Sequence, residues 1–272
     1  MTMMLSIYFT SSQIRENARY VLFVHLLISD SLFIVFGLVL LVAAIYFLSM
    51  PGPVCYIMVM MSMVTLRTSP YNLATMALER YVAICFPLHH CMLCSTKRAK
   101  IAILVTWILA FFPYMCEIII MPSLSKKLSA LHVVCSQKRV IVHAFQNVTQ
   151  QLSLYLGIPG VGLIILFTYI QIVIVTHKIR SRSSLASKAS KTIILHAFQL
   201  CLCLFSLLPA DADKTNYDTN YFIAIVNFFI YICLPRFLSP LIYGLRDEVL
   251  SKYMKQEVLK NFNCSKIPVT WK

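Results

Sequence analysis

Charge is scarce in this sequence. Only 12% of its 272 residues are Asp, Glu, Lys or Arg, against roughly 25% in an ordinary soluble domain. Acidic residues are scarcer still, 10 against 24 Lys and Arg, and there are only 6 glycines. So little charge cannot cover the surface of a soluble globular chain of this length. So few glycines exclude a collagen-like or linker-rich chain. No HExxH, GxSxG or Walker-type sequence occurs, which removes the common signatures of zinc proteases, serine hydrolases and phosphate-binding loops. What the chain has in abundance is apolar side chains, at 59%. The net charge of +14 therefore points to a bilayer as partner and not to nucleic acid. The composition is that of an all-α membrane protein.

A helix needs about 20 mostly apolar residues to cross the hydrocarbon core. Six stretches meet that length: 20–48, 54–86, 101–121, 152–176, 192–208 and 221–243. Residues 1–9 are apolar but fall short of a span, and they read as the inner end of a first helix or as a short apolar start. They lack the basic region and cleavage site of a signal peptide. This divides the chain into a first-helix remnant at 1–9, a helix bundle at 10–246 and a tail at 247–272.

Lys and Arg set the orientation of such a bundle. Arg15, Arg19, Arg80, Lys97, Arg98, Lys100, Lys178, Arg180, Arg182, Lys188 and Lys191 fall on one side, with six more basic residues in the tail. The other side holds Lys126, Lys127, Lys138, Arg139 and Lys214. The tail is therefore expected in the cytosol and the chain in the plasma membrane. The sequon Asn147-Val148-Thr149 then falls outside, where a glycan can be added, while Asn263-Cys264-Ser265 lies in the tail.

Cys55 and Arg80 stand at the two ends of one span, about 37 Å apart at 1.5 Å per helical residue. Cys135 is the one cysteine in the middle of the loop between the spans at 101–121 and 152–176. A Cys55–Cys135 bridge would pin that loop over the bundle in an oxidising compartment; the alternative is two free thiols. His89-His90-Cys91 with Cys94 has zinc-like spacing but no second pair, so no metal is expected. Gly157, Gly160 and Gly162 read as sites of close helix packing.

The run Met76-Ala77-Leu78-Glu79-Arg80-Tyr81-Val82-Ala83-Ile84-Cys85-Phe86-Pro87-Leu88 resembles the end of the third helix in odorant receptors of the rhodopsin-like class. Ser239-Pro240-Leu241-Ile242-Tyr243-Gly244-Leu245-Arg246 resembles that family's seventh-helix ending. Leu26-Leu27-Ile28-Ser29-Asp30, Trp107 and Pro159 fit as well, and Ser69-Pro70-Tyr71-Asn72-Leu73 leans towards the fish and amphibian type. The resemblance runs from about residue 13 to residue 256. It implies a rhodopsin-like seven-helix bundle, here with an incomplete first helix, six full spans and a short cytosolic amphipathic helix after the last. It departs from the pattern at Ser239, where most rhodopsin-like receptors have asparagine, and in the stretch at 191–199, which lacks the tryptophan-proline switch.

The resemblance further implies a small-molecule odorant as ligand, a heterotrimeric, cAMP-linked G protein as partner, and no cofactor. It assigns the switch to Glu79, Arg80 and Tyr81 at the cytosolic end, with Ser239, Pro240 and Tyr243 in the seventh helix. Asp30 and Arg236 are intramembrane charges, which are costly and need partners; because their helices are neighbours in the family fold, they are expected to pair, the alternative being that Asp30 holds water or sodium while Arg236 faces elsewhere. The resemblance turns Ser62, Met63, Leu66 and Arg67 towards the ligand cavity. Gln151 and Tyr155, two turns and one turn before Pro159, would add polar groups, and Phe205, Phe228, Phe229 and Ile232 an apolar wall. Arg67 either favours anionic or strongly polar odorants or pairs with Glu117. Three other readings stand beside this one: a non-olfactory rhodopsin-like receptor, a truncated product that does not signal, and a small polytopic transporter. A transporter should carry inverted repeats, and none is evident.

Overall fold

The computed structural model describes residue 8 and residues 15–120, 132–135, 144–178, 198, 201–202 and 221–238. Within them, apolar helices surround one helix that is much less apolar. Helix α1, Ala18–Ile45, is capped by Asn17, whose side-chain oxygen accepts the Arg19 backbone N–H at 3.1 Å, the usual way an N-cap meets a first-turn donor. Its inward side carries Leu22, Leu26, Leu27, Asp30 and Phe33, while Val35, Leu38, Val39 and Val42 are exposed. A helix that is apolar inside and out belongs in lipid.

Strand β1, Ser49–Pro51, follows, and then helix α2, Gly52–Cys85. Proline near the start of α2 costs no hydrogen bond, because first-turn N–H groups have no helical acceptor. A short helix α3, His90–Leu93, precedes α4, Thr96–Ile120. Strand β2, His132–Val134, pairs antiparallel with β1, Met50 opposite Val133. Helix α5 runs over Ala144–Lys178. Helix α6, Tyr221–Asn227, widens into a π-helical turn at Phe228–Cys233.

Three described helices are long and apolar enough to cross a membrane: Ala18–Ile45, Thr96–Ile119 and Ala144–Val175. Helix α2 is not among them, although its 34 residues give about 51 Å of helix. The stretch at 54–86 was expected as an apolar span. The reason it fails that description is its position: all seven residues at 64–70 are buried, which on a helix covers every face. Protein, not lipid, surrounds it, so it carries Thr65, Arg67, Thr68, Ser69 and Asn72. Several of their polar groups find partners inside. Thr65 and Thr68 donate to carbonyls one turn back, and Asn72 donates to the Leu22 carbonyl of α1 at 2.8 Å.

Apolar contacts complete the bundle. Leu22, Leu26 and Leu27 of α1 meet Leu73 and Met76 of α2 and Ala99 of α4. Tyr56, Val59 and Val64 meet Ala110 and Tyr114 of α4, and Ala74 and Ala77 meet Val161 and Ile165 of α5. Gly157 lets α5 approach Tyr71, since a Cβ there would come within 2.5 Å of the tyrosine oxygen. Gly160 and Gly162 do not share that role, because a Cβ at either would meet nothing within 4 Å. The expected span at 192–208 lies outside the described residues except Phe198, Cys201 and Leu202, as do Phe205, Ser239, Pro240, Tyr243 and the tail.

Candidate functional site

Helix α2 carries a polar group at three levels along its length. At the first level, Cys55 in its opening turns is bonded to Cys135, which directly follows β2, with a Cα–Cα separation of 5.4 Å. Both cysteines are buried. The bridge and the two-strand ladder hold the same loop against α2, one by a covalent bond and one by backbone hydrogen bonds.

Next to the bridge lies a buried polar cluster. Glu117 of α4 is fully buried. Tyr56 donates its hydroxyl to one carboxylate oxygen at 3.2 Å, Gln146 donates to the same oxygen at 3.4 Å, and Gln150 donates to the other at 3.1 Å. Three neutral donors thus satisfy the carboxylate. Arg67, only 3% exposed, does not form an ion pair with it among the described residues. Instead its Nη2 donates to the Gln150 backbone carbonyl at 3.3 Å, and the guanidinium lies 5.3 Å from the centre of the Tyr114 ring, within cation–π range. Nε and Nη1 of Arg67 have no hydrogen-bond partner, nor does Oε1 of Gln150. A buried donor left unmade costs about 1–3 kcal/mol, so an unsatisfied charged group here calls for an explanation.

At mid-helix, Asp30 and Arg236 form a buried ion pair. Ser69 of α2 donates to the same aspartate oxygen at 2.8 Å, and the Arg236 guanidinium lies 4.9 Å from the Phe33 ring centre. The π-helical turn ends at Cys233, just before Arg236, and its Phe228 packs on Gly37. An extra residue in one turn shifts the facing of everything after it. At the far end of α2, Arg80 lies 3.5 Å from Glu79, and Tyr81 packs edge-on to Phe167 of α5 and to Phe86.

Of the residues expected around a cavity, Ser62, Leu66, Arg67 and Phe228 are buried, and Met63 and Ile232 are half-buried. Gln151 and Tyr155 are corrected: both are exposed, Tyr155 at 73%, and Phe229 is exposed as well. The polar face of α5 is made by Gln146 and Gln150. Those two, with Tyr56 and Tyr114, were not singled out in the sequence. The signal was there in the four-residue spacing of Gln146 and Gln150, which places them on one helix face, and in a buried glutamate needing donors.

A membrane bundle with a disulfide-tethered loop at one end, a buried ion pair at its centre and a Glu-Arg-Tyr sequence at the other end defines a receptor-type helix bundle. The chain belongs to the 7 transmembrane receptor (rhodopsin family), whose family model matches residues 2–256. By that membership and its apolar helices it is a multi-pass membrane protein. Among its relatives, Odorant receptor 131-2 of Danio rerio is 30% identical over 211 residues, 74% of this chain and 64% of that protein. Olfactory receptor 1 of Rattus norvegicus is 26% identical over 206 residues, 68% and 61% of the two chains. Olfactory receptor 7D4 of Homo sapiens is 26% identical over 211 residues, 71% and 64%. The chain spans less than two thirds of the length of these relatives.

Proposed function

We propose that this chain is an odorant receptor of the plasma membrane, in which a small molecule bound near the disulfide end of α2 favours a state that activates a heterotrimeric G protein at the Glu79-Arg80-Tyr81 end. The observation that carries the reading is the central helix itself. Arg67 and Arg80 lie on one continuous helix, about 20 Å apart at 1.5 Å per residue, so a shift of α2 at one end is felt at the other. The names of the relatives supply the ligand class. Small-molecule sites combine apolar walls with a few polar groups, and Ser62, Met63, Leu66, Arg67, Phe228 and Ile232 have that mixture. The ligand selects among states already in equilibrium. In the resting state Glu79 holds Arg80; in the active state Arg80 is released to the G protein. The excess of Lys and Arg on the Arg80 side supports a cytosolic tail, and the exposed Asn147 in the first turns of α5 is then the glycan acceptor outside.

The test is a cAMP reporter in cells displaying the full chain at the surface, challenged with a broad panel of volatile small molecules. At least one compound is expected to raise cAMP in a concentration-dependent way that requires this chain. Silence across the panel from surface-displayed receptor, while a control odorant receptor responds, would overturn the reading.

A further inference from the structure

We infer that the π-helical turn of α6 is a register switch: widened, it lets Phe228 and Arg236 reach their partners on α1 together, and closing it to ordinary α-helix while Phe228 stays in place withdraws Arg236 from Asp30. Its consequence for signalling rests on the odorant-receptor reading; the register itself does not. On α1, Gly37 receives the Phe228 ring and Asp30 receives Arg236. Those two α1 positions are seven residues apart, about 700° of helix and about 10 Å, so they lie on one face. Their partners on α6 are eight residues apart. An unbroken α-helix would turn about 800° between them and leave Phe228 and Arg236 about 80° apart. Only one of the two could then face α1 squarely.

The widened turn takes up the eighth residue. The Leu234 N–H donates to the Phe229 carbonyl, five residues back, where an α-helix bonds four back. Phe228 and Cys233, also five residues apart, are accordingly both buried, with Phe229 and Ile230 between them exposed; on an α-helix they would lie about 140° apart. Pro235 supplies a local reason for the widening. It has no N–H to give the carbonyl of Tyr231, four residues back, and its ring crowds that carbonyl in a regular helix. Gly37 supplies the other anchor, since a Cβ there would come within 3.1 Å of the Phe228 ring. The two forms of the turn differ by one step in hydrogen-bond register, which makes them discrete arrangements of the kind that conformational switches use. The ion pair is thereby tied to the seat of Phe228, two turns further along α1.

The experiment measures the coupling between Asp30→Asn and Arg236→Gln, by double-mutant cycle on the unfolding midpoint of the full chain in detergent, in three backgrounds. In the wild type the double variant should recover several degrees relative to the summed single losses. Deleting Ile230 leaves seven residues on each helix, so a plain α-helix satisfies both contacts and the coupling should persist. Inserting an alanine after Ile230 makes nine, and the coupling should vanish. A deletion that uncouples the pair, or an insertion that keeps it coupled, would overturn the inference, and the insertion decides this even if the deletion fails to fold. The deletion also removes the residue whose uptake makes the switch, so at matched surface display it should lose most of the cAMP response. A deletion variant that keeps the coupling and signals as the wild type does would make the turn a structural feature only and overturn the switch. A wild type silent in cAMP would overturn the odorant reading instead, with the register still decided by the coupling.

Discussion

Replacing either partner of the Asp30–Arg236 pair is expected to produce the largest loss of stability available from a single substitution in this bundle. Both side chains are buried. Removing Arg236 leaves a carboxylate whose remaining described partner is the Ser69 hydroxyl; removing Asp30 leaves a guanidinium facing the Phe33 ring. Breaking a buried pair from one side costs about 3–5 kcal/mol, whereas replacing both charges is often close to neutral. Arg236→Gln and Asp30→Asn should each remove most of the receptor from the cell surface and lower its midpoint of unfolding in detergent. The double variant Asp30→Asn with Arg236→Gln should recover most of both. Strictly additive losses would show that the two charges do not act as a pair, because coupling in a double-mutant cycle is the measure of contact.

The second large effect is expected at the bridge. Losing a native disulfide typically costs about 2–5 kcal/mol, and here the bond joins residues 80 apart in sequence. Cys55→Ser should release β2 from its position beside α2, leaving only the short antiparallel ladder with β1. Cys135→Ser should have the same effect, and the double variant should be no worse than either single one. The readout is surface display together with the unfolding midpoint, with and without a reductant. Reductant should harm the wild type and leave the variants unchanged. A wild type indifferent to reductant, or single variants whose losses add, would contradict a bridge that holds the loop.

Much of this architecture was legible from the distribution of apolar residues, for a physical reason. Lipid demands length and hydropathy from any helix that faces it, so α1, α4 and α5 stand out. The central helix is less legible by that criterion, since protein covers its middle and several polar residues there bond to neighbours. Asp30 and Arg236 could be matched because a buried charge in a membrane needs a partner and the resembled family fold sets their helices side by side. The partners of Arg67 were harder to read. Glu117 was the obvious opposite charge, yet its oxygens are filled by amides and a tyrosine hydroxyl, and nothing in the spacing of charges announces that. The facing of α5 was misread because counting back in whole turns from Pro159 treats 3.6 residues per turn as an integer. An error of one residue rotates the assigned face by about 100°, enough to exchange Gln150 for Gln151. Helix α5 also starts well before the apolar stretch at 152–176, because Gln146 and Gln150 are turned inward and need no lipid.

The central claim is that α2 joins a ligand site along its disulfide-side half to a G-protein switch at its other end. The most direct measurement compares wild type with Arg80→Ala, matched for surface display, in two assays at once: ligand-dependent thermal stabilisation and cAMP response to the same compound. The account predicts that Arg80→Ala keeps the stabilisation, because Arg80 is about 20 Å from Arg67 along the helix, and loses the cAMP response. An Arg80→Ala receptor that still raises cAMP as the wild type does would contradict it.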